Sequence, residues 1–295
     1  MSKDLQGAEI IASDGCRLKG YHFTNDAAKG AILICCATAV NQKFYFSFAR
    51  WLSEQGYNVL TFDYRGLGES LAESTAKDSP ARKQEWGELD MTAAFSWLID
   101  KHPDLPKHLI GHSAGGLLFG LMPNYGDIEN VVSIGCSTGY AGNIRMPDRL
   151  GAWFFLKIYF PLTMKFLGYV PGKKLGLGED LPKGIARQWA DWCTNPGYVS
   201  NAFGKEIHKN YYQNLSMPML VINMKDDAIS TPRNVEALQT LFPNAQIETV
   251  WLEAQDYKLK TVGHMGFFRK ENKVLWTTVK EWLERHSRAN AFDCE

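Results

Sequence analysis

The sequence predicts an α/β fold: a mostly parallel central sheet flanked by helices, with a helical segment inserted after the sixth strand. Three observations predict it. Short runs that read as buried strands, wholly apolar at Gly30–Cys36 and mostly so at Val131–Cys136, alternate with stretches of helical periodicity, as strands covered on both faces do. That rhythm stops near Tyr140 and resumes at Met219. The length, 295 residues, suits one large α/β domain carrying an insertion.

The elements follow in order. Ala8–Ala12 and Arg17–Phe23 flank Asp14-Gly15, which reads as a hairpin. Gly30–Cys36 is the third strand. Phe44–Gln55 has helical spacing, with Phe48, Trp51 and Leu52 on its apolar side, and Gly56 ends it. Tyr57–Asp63 is the next strand, followed by the glycine-punctuated loop 64–70. A helix within Pro80–Lys101 carries Trp86, Leu89, Ala93, Ala94, Trp97 and Leu98. Lys107–Ile110 ends a short buried strand, and Gly116–Met122 reads as the first turns of an apolar helix. After 140 no clean strand is visible until Met219–Asn223. A helix at Asn234–Leu241, a strand at Ile247–Leu252 and a helix from about Asn272 to His286 complete the chain. The expected division is a core of residues 1–140 and 216–295, with 141–215 as a helical cap.

Composition narrows the function. Lys plus Arg and Asp plus Glu number 32 each, so the formal net charge is zero. No basic stripe points to nucleic acid. The six cysteines, Cys16, Cys35, Cys36, Cys136, Cys193 and Cys294, show no Cys-x-x-Cys spacing, which argues against structural zinc. The N-terminal residues lack an apolar signal region, and with the cysteine pattern this predicts a cytoplasmic protein. The most apolar stretch, Ala152–Gly168, is interrupted by Lys157, Pro161 and Lys165, and is too broken for an integral membrane segment.

Gly111-His112-Ser113-Ala114-Gly115 fits the Gly-x-Ser-x-Gly turn between a strand and a helix. There a serine is forced into a strained conformation with its hydroxyl exposed. A hydroxyl attacks carbonyls only when a base takes its proton, and the base needs a third group to orient it. On this architecture the order is serine, acid, histidine, each after a strand. The acid falls in Lys225-Asp226-Asp227, where Asp227 lies further into the turn than Asp226. The base is His264, in a loop loosened by Gly263 and Gly266. His22, His102, His108, His112, His208 and His286 lie in strands, terminal or insertion segments, or beside the elbow. An oxyanion needs two N–H donors: Ala114, and Ala39 in the loop after the third strand, with Val40 as the alternative.

These motifs resemble those of the α/β-hydrolase superfamily of serine hydrolases over nearly the whole chain. Gly111–Gly116 resembles its nucleophile elbow, and Asp63-Tyr64-Arg65-Gly66-Leu67-Gly68-Glu69-Ser70 its Asp-x-Arg-Gly-x-Gly-x-Ser loop. Lys225–Asp227 and Gly263–Gly266 resemble its acid and base loops, which favours Asp227. The run Gly263-His264-Met265-Gly266-Phe267-Phe268 is similar to that of a bacterial subgroup without an assigned substrate. The chain departs from the pattern at Ala37-Thr38, where His-Gly is usual, and at Met224, where glycine is usual. Arg269 replaces the acid of the His-x4-Asp acyltransferases. A serine nucleophile argues against haloalkane dehalogenases and epoxide hydrolases.

The resemblance implies a serine hydrolase needing no metal or cofactor, acting on an uncharged, partly apolar carboxylic ester or thioester. An acyltransferase sharing the acyl-enzyme, or a non-catalytic small-molecule binder, are the alternatives. Asp63, Arg65, Gly66 and Gly68 read as turn residues. The aromatics of 141–215 read partly as the core of the cap and partly as an apolar lining over Ser113. Two lysines, at 157 and 165, give only slight support to a lid that docks on lipid.

Overall fold

The computed structural model describes residues 5–176 and 178–286. Strands β1 (Leu5–Ile11) and β2 (Arg17–Phe23) form the expected hairpin, with Gly15 at φ +86° in its turn. β3 (Gly30–Cys35), β4 (Tyr57–Phe62), β5 (Lys107–His112) and β6 (Asn130–Ile134) are buried at every residue. Two-residue strands β7 (Tyr169–Val170) and β8 (Leu181–Pro182) pair only with each other. β9 (Pro218–Met224) and β10 (Gln246–Leu252) return to the main sheet. Its order is β1-β2-β4-β3-β5-β6-β9-β10, parallel from β4 to β10 and antiparallel at β1 and β2. Parallel strands need crossovers, so the intervening helices cover both faces, which explains why these strands are buried on both sides.

The helices are α1 (Phe46–Glu54), α2 (83–101), α3 (148–166), α4 (Lys183–Thr194), α5 (Pro232–Gln239) and α6 (Thr277–His286). Two of them contain a π-helical turn, Trp86–Met91 in α2 and Phe155–Tyr159 in α3. In α3 the wide turn lies just before Pro161. A proline inside an α-helix lacks an N–H and clashes with the preceding turn. Widening that turn lets the helix pass through Pro161 unbroken.

Residues 141–215 add no strand to the eight-stranded sheet. They hold α3, α4 and the small β7–β8 pair, a feature the sequence pattern did not reveal. Trp192, Tyr198 and Tyr212 are buried there, and Phe160 packs on Trp189 at 5.6 Å between ring centroids. These aromatics serve as a core for the insertion.

One expectation is corrected at the elbow. No α-helix follows Ser113; instead two 3-10 turns, Ser113–Gly116 and Leu118–Leu121, end at Met122. Gly115, Gly116 and Gly120 disfavour helix, and Pro123 stops it. Close packing demands these glycines: a Cβ on Gly120 would overlap the Tyr212 ring. A macrodipole of useful size needs a longer helix, so local N–H groups alone face the elbow.

Candidate active site

Ser113 follows β5 directly and has φ +50°. A non-glycine residue there is strained, and its neighbours hold it. A Cβ on Gly111 would overlap the Gly115–Gly116 backbone, and one on Gly115 would overlap the Cys35 carbonyl. Ser133 Oγ donates to the Gly116 carbonyl at 2.9 Å, and Cys136 Sγ donates to the Ser113 carbonyl at 3.1 Å. Ser113 remains half-buried, and its hydroxyl makes no hydrogen bond among the described residues.

Asp227 is fully buried beyond β9. Its Oδ1 accepts from the N–H groups of Ile229 (2.8 Å) and Ser230 (3.1 Å), and its Oδ2 lies 2.7 Å from His264 Nδ1. Burial pushes this carboxyl up, but the His264 bond and charge and the two N–H donors outweigh it, leaving it below the usual range. Asp226 does something else. It accepts from Thr261 Oγ1 (2.7 Å), Val262 N–H (2.7 Å) and Gly263 N–H (2.9 Å), clamping the loop that presents His264. Gly263, at φ +61°, supplies the turn into the single helical turn Gly263–Gly266.

His112, passed over in the sequence, links the parts. Its Nε2 donates to the His264 carbonyl at 2.9 Å, and its Nδ1 accepts from Tyr45 Oη at 2.8 Å. Tyr45 Oη in turn accepts the Ala37 N–H at 2.9 Å. This assignment follows from the network. Burial, helped by the nearby His264, pushes His112 down to about 3, so it stays neutral with the proton on Nε2. One relay therefore ties the 37–41 loop, the elbow and the His264 loop. The motif hides it, because the residue before the serine is formally free to vary.

The 37–41 loop separates the two donor candidates. Val40 N–H is spent on the Ala37 carbonyl at 3.2 Å, whereas Ala39 N–H has no partner among the described residues, and Ala39 stands at φ +62°. Ala114 N–H, at the start of its 3-10 turn, is likewise unpartnered among the described residues. The insertion grips this loop. Glu179 N–H donates to the Ala39 carbonyl at 2.8 Å, and Asn41 Nδ2 donates to Glu179 Oε1 at 2.9 Å.

Lys83, at the start of α2, is a second feature the sequence did not signal. It is fully buried, donates to Thr38 Oγ1, and lies over the rings of Trp86 (4.5 Å) and Trp189 (5.6 Å). Burial pushes its amine down to about 7. Its partners lie in α2, the 37–41 loop and α4, so nothing local marks it.

The Asp63–Ser70 loop holds itself together. Asp63 accepts from Gln42 N–H (2.7 Å) and Glu69 N–H (2.9 Å), and Arg65 bonds Asp90 (2.7 Å) and Asp14 (2.6 Å). A cleft of about 330 Å³ lies elsewhere, among Lys77, Arg82, Lys183, Arg187 and Glu206. Cys16, Cys35, Cys36, Cys136 and Cys193 are free thiols, and Cys294 lies outside the described residues. Among the described residues no cluster of three His, Cys, Asp or Glu side chains could hold a metal ion, and no helix is long and apolar enough to cross a membrane.

Comparison with known proteins places the chain in a family and a fold. The family described as serine aminopeptidase, S33, matches residues 26–255. Monoglyceride lipase of Saccharomyces cerevisiae is 25% identical over 94% of this chain and 93% of its own length. The Escherichia coli protein YfhR, itself uncharacterised, is 28% identical over 49% of this chain; the match spans about half (51%) of that relative's length. Among solved structures, a soluble variant of the yeast monoglyceride lipase with a substrate analogue superposes with TM-score 0.68, at 17% identity, covering 97% of this chain and 96% of that one. A Pyrococcus furiosus esterase gives 0.61 at 18% identity, covering 97% and 92%. With more than half its length matched by one family and its sheet in the same fold, the chain belongs to the S33 serine aminopeptidase family of α/β-hydrolase serine hydrolases.

Proposed function

We propose that the protein hydrolyses an uncharged, partly apolar carboxylic ester or thioester through an acyl-enzyme on Ser113, with His264 as base and Asp227 as its orienting acid. The observation that carries this reading is the 2.7 Å bond from His264 Nδ1 to a buried Asp227, on a loop that His112, the residue before a serine held at φ +50°, bonds through the His264 carbonyl. The bond occupies Nδ1, which leaves Nε2 as the basic nitrogen. Nε2 takes the Ser113 proton as Oγ bonds the substrate carbonyl carbon. The carbonyl oxygen becomes an oxyanion, held by the N–H groups of Ala39 and Ala114. The C–O or C–S bond to the leaving group then breaks, and that group takes the proton from Nε2. Water, deprotonated by Nε2, attacks the acyl carbon and releases the acid and Ser113. Asp227 stays ionised and stabilises the imidazolium at each stage. Residues 141–215 act as a cap over this site. Free thiols at the five described cysteines fit a reducing, cytoplasmic setting.

The likeness to a monoglyceride lipase over nearly the full chain supports an ester of an apolar acid. The test is p-nitrophenyl ester hydrolysis across acyl chain lengths, wild type against Ser113→Ala. The variant should lose at least about 10⁴-fold in kcat/KM while keeping its melting temperature. Equal rates in the two proteins would remove Ser113 from the mechanism. A rise in turnover with added alcohol or thiol would show that acyl transfer outruns hydrolysis. Faster cleavage of aminoacyl p-nitroanilides than of esters would make the protein a peptidase, as its family's description suggests.

A further inference from the structure

Helix α3 has two apolar faces. The inner one, with Leu156 and Phe160, is buried within the insertion. The outer one is a ridge of Leu150 (63% exposed), Phe154 (50%), Ile158 (49%), Leu162 (50%) and Phe166 (73%), one every fourth residue. Met146 and Leu167 extend it at either end, also exposed. On an unbroken α-helix such a series would drift by about 160° from first to last. The π turn at Phe155–Tyr159 takes up an extra residue and narrows the spread to about 60°. The ridge is therefore nearly straight over a helix about 28 Å long. Scattered surface leucines need no explanation, but an aligned ridge of this size marks a surface meant to be covered.

Charge says what covers it. From Arg149 to Gly178 the sequence contains no acidic residue and five basic ones: Arg149, Lys157, Lys165, Lys173 and Lys174. The whole chain is neutral, so the remainder carries −5 against the +5 of this segment. Of the five, Lys173 is paired, with Glu179 at 2.8 Å. Lys157 and Lys165 lie with their ammonium groups 5.9 Å and 5.6 Å from the rings of Trp153 and Phe166, so their stems follow the helix surface. The cleft lined by Lys77, Arg82, Lys183, Arg187 and Glu206 also includes Gly168, just past the end of α3. A second copy placed ridge to ridge would oppose like charges. A convex ridge is also the wrong shape to receive a peptide.

We propose that the outer face of α3 docks on an anionic lipid surface, with the helix lying in the plane of the interface. The five apolar side chains enter the boundary between headgroups and acyl chains, and the lysines meet the phosphates. The proposal is independent of the Ser113 mechanism.

The test uses the full chain and vesicles of phosphatidylcholine with or without phosphatidylglycerol, separated by sedimentation. Binding should be about 10-fold or more tighter to the anionic vesicles and should weaken as salt rises. The double substitution Phe154→Glu, Phe166→Glu should abolish it at an unchanged melting temperature. Lys157→Gln with Lys165→Gln should weaken binding to anionic vesicles about 10- to 30-fold and leave binding to neutral ones unchanged. No binding to either vesicle, or equal binding by the Phe154→Glu, Phe166→Glu protein, would overturn the proposal. So would a wild-type dimer in light scattering that this double substitution splits, since the ridge would then be an interface between copies.

Discussion

Replacing Lys83 by methionine should stabilise the protein, and by an amount that depends on pH. Burial lowers the folded-state pKa of Lys83 from 10.5 to about 7, and among the described residues no carboxylate pairs with it to offset this. At about 1.4 kcal/mol per tenfold in the proton equilibrium, that difference is a penalty of about 5 kcal/mol. The sign follows from proton counts. Below pH 7 the amine is charged in both states, and the full penalty applies. Between pH 7 and 10.5 the unfolded chain binds the proton and the folded one does not, so stability rises by about 1.4 kcal/mol per pH unit. Above 10.5 the penalty is gone. Methionine fills similar volume but forfeits the bond to Thr38 and the contact with Trp86, together about 1–2 kcal/mol. The net gain for Lys83→Met is then about 3 kcal/mol at pH 6, shrinking towards zero at pH 9. Guanidinium unfolding of both proteins at a series of pH values reads this directly. A difference that stays constant with pH, or a variant less stable than wild type at pH 6, would refute the reasoning.

Two further predictions concern the site. Asp227→Asn can still accept from Ile229 and Ser230 but offers an N–H to His264 Nδ1, which favours the wrong tautomer; kcat should fall about 10⁴-fold with little change in melting temperature. Wild-type turnover in that variant, measured on the best p-nitrophenyl ester, would show that Asp227 only shapes its turn. Tyr45→Phe leaves Ala37 N–H and His112 Nδ1 without a partner in the core, so urea unfolding should show a loss of about 2 kcal/mol and ester assays a lower kcat at similar KM. Unaltered stability would mean the relay carries no energy.

Much of this molecule is written locally. β3 to β6 and β9 lie inside the sheet, and each carries an apolar stretch, unbroken over Gly30–Cys35 and Met219–Ile222 and interrupted in β4 to β6 by buried polar residues such as Asn58, His108 and Ser133. The candidates Ser113, Asp227 and His264 stand out through chain order and through the glycines around them. What escaped the sequence depends on distant partners. Lys83 meets Thr38 and Trp189, 45 and 106 positions away, and a lysine at the start of a helix looks like any solvated one. Asp226 and Asp227 are neighbours of one chemistry; only the fold sends one to the histidine and the other to the loop that carries it. The turns after Ser113 look like a helix because their apolar spacing is right, while the glycines answer to packing against Tyr212. Pro161 looks like a break in α3 until a widened turn accommodates it.

The grip of Glu179 on Ala39 has a consequence for the rhythm of turnover. On the proposed mechanism, the segment that covers the nucleophile also braces the donor that receives the oxyanion. Swinging that segment aside for a bulky product to leave would break the Glu179–Ala39 bond and slacken the donor with it. Covering the site and readying it for reaction become one event, and emptying it undoes both. A small ester that slips in and out beneath the closed segment would meet a site that stays ready. A large one would need it rebuilt each time, so its rate would follow the segment's motion rather than the bond-breaking step.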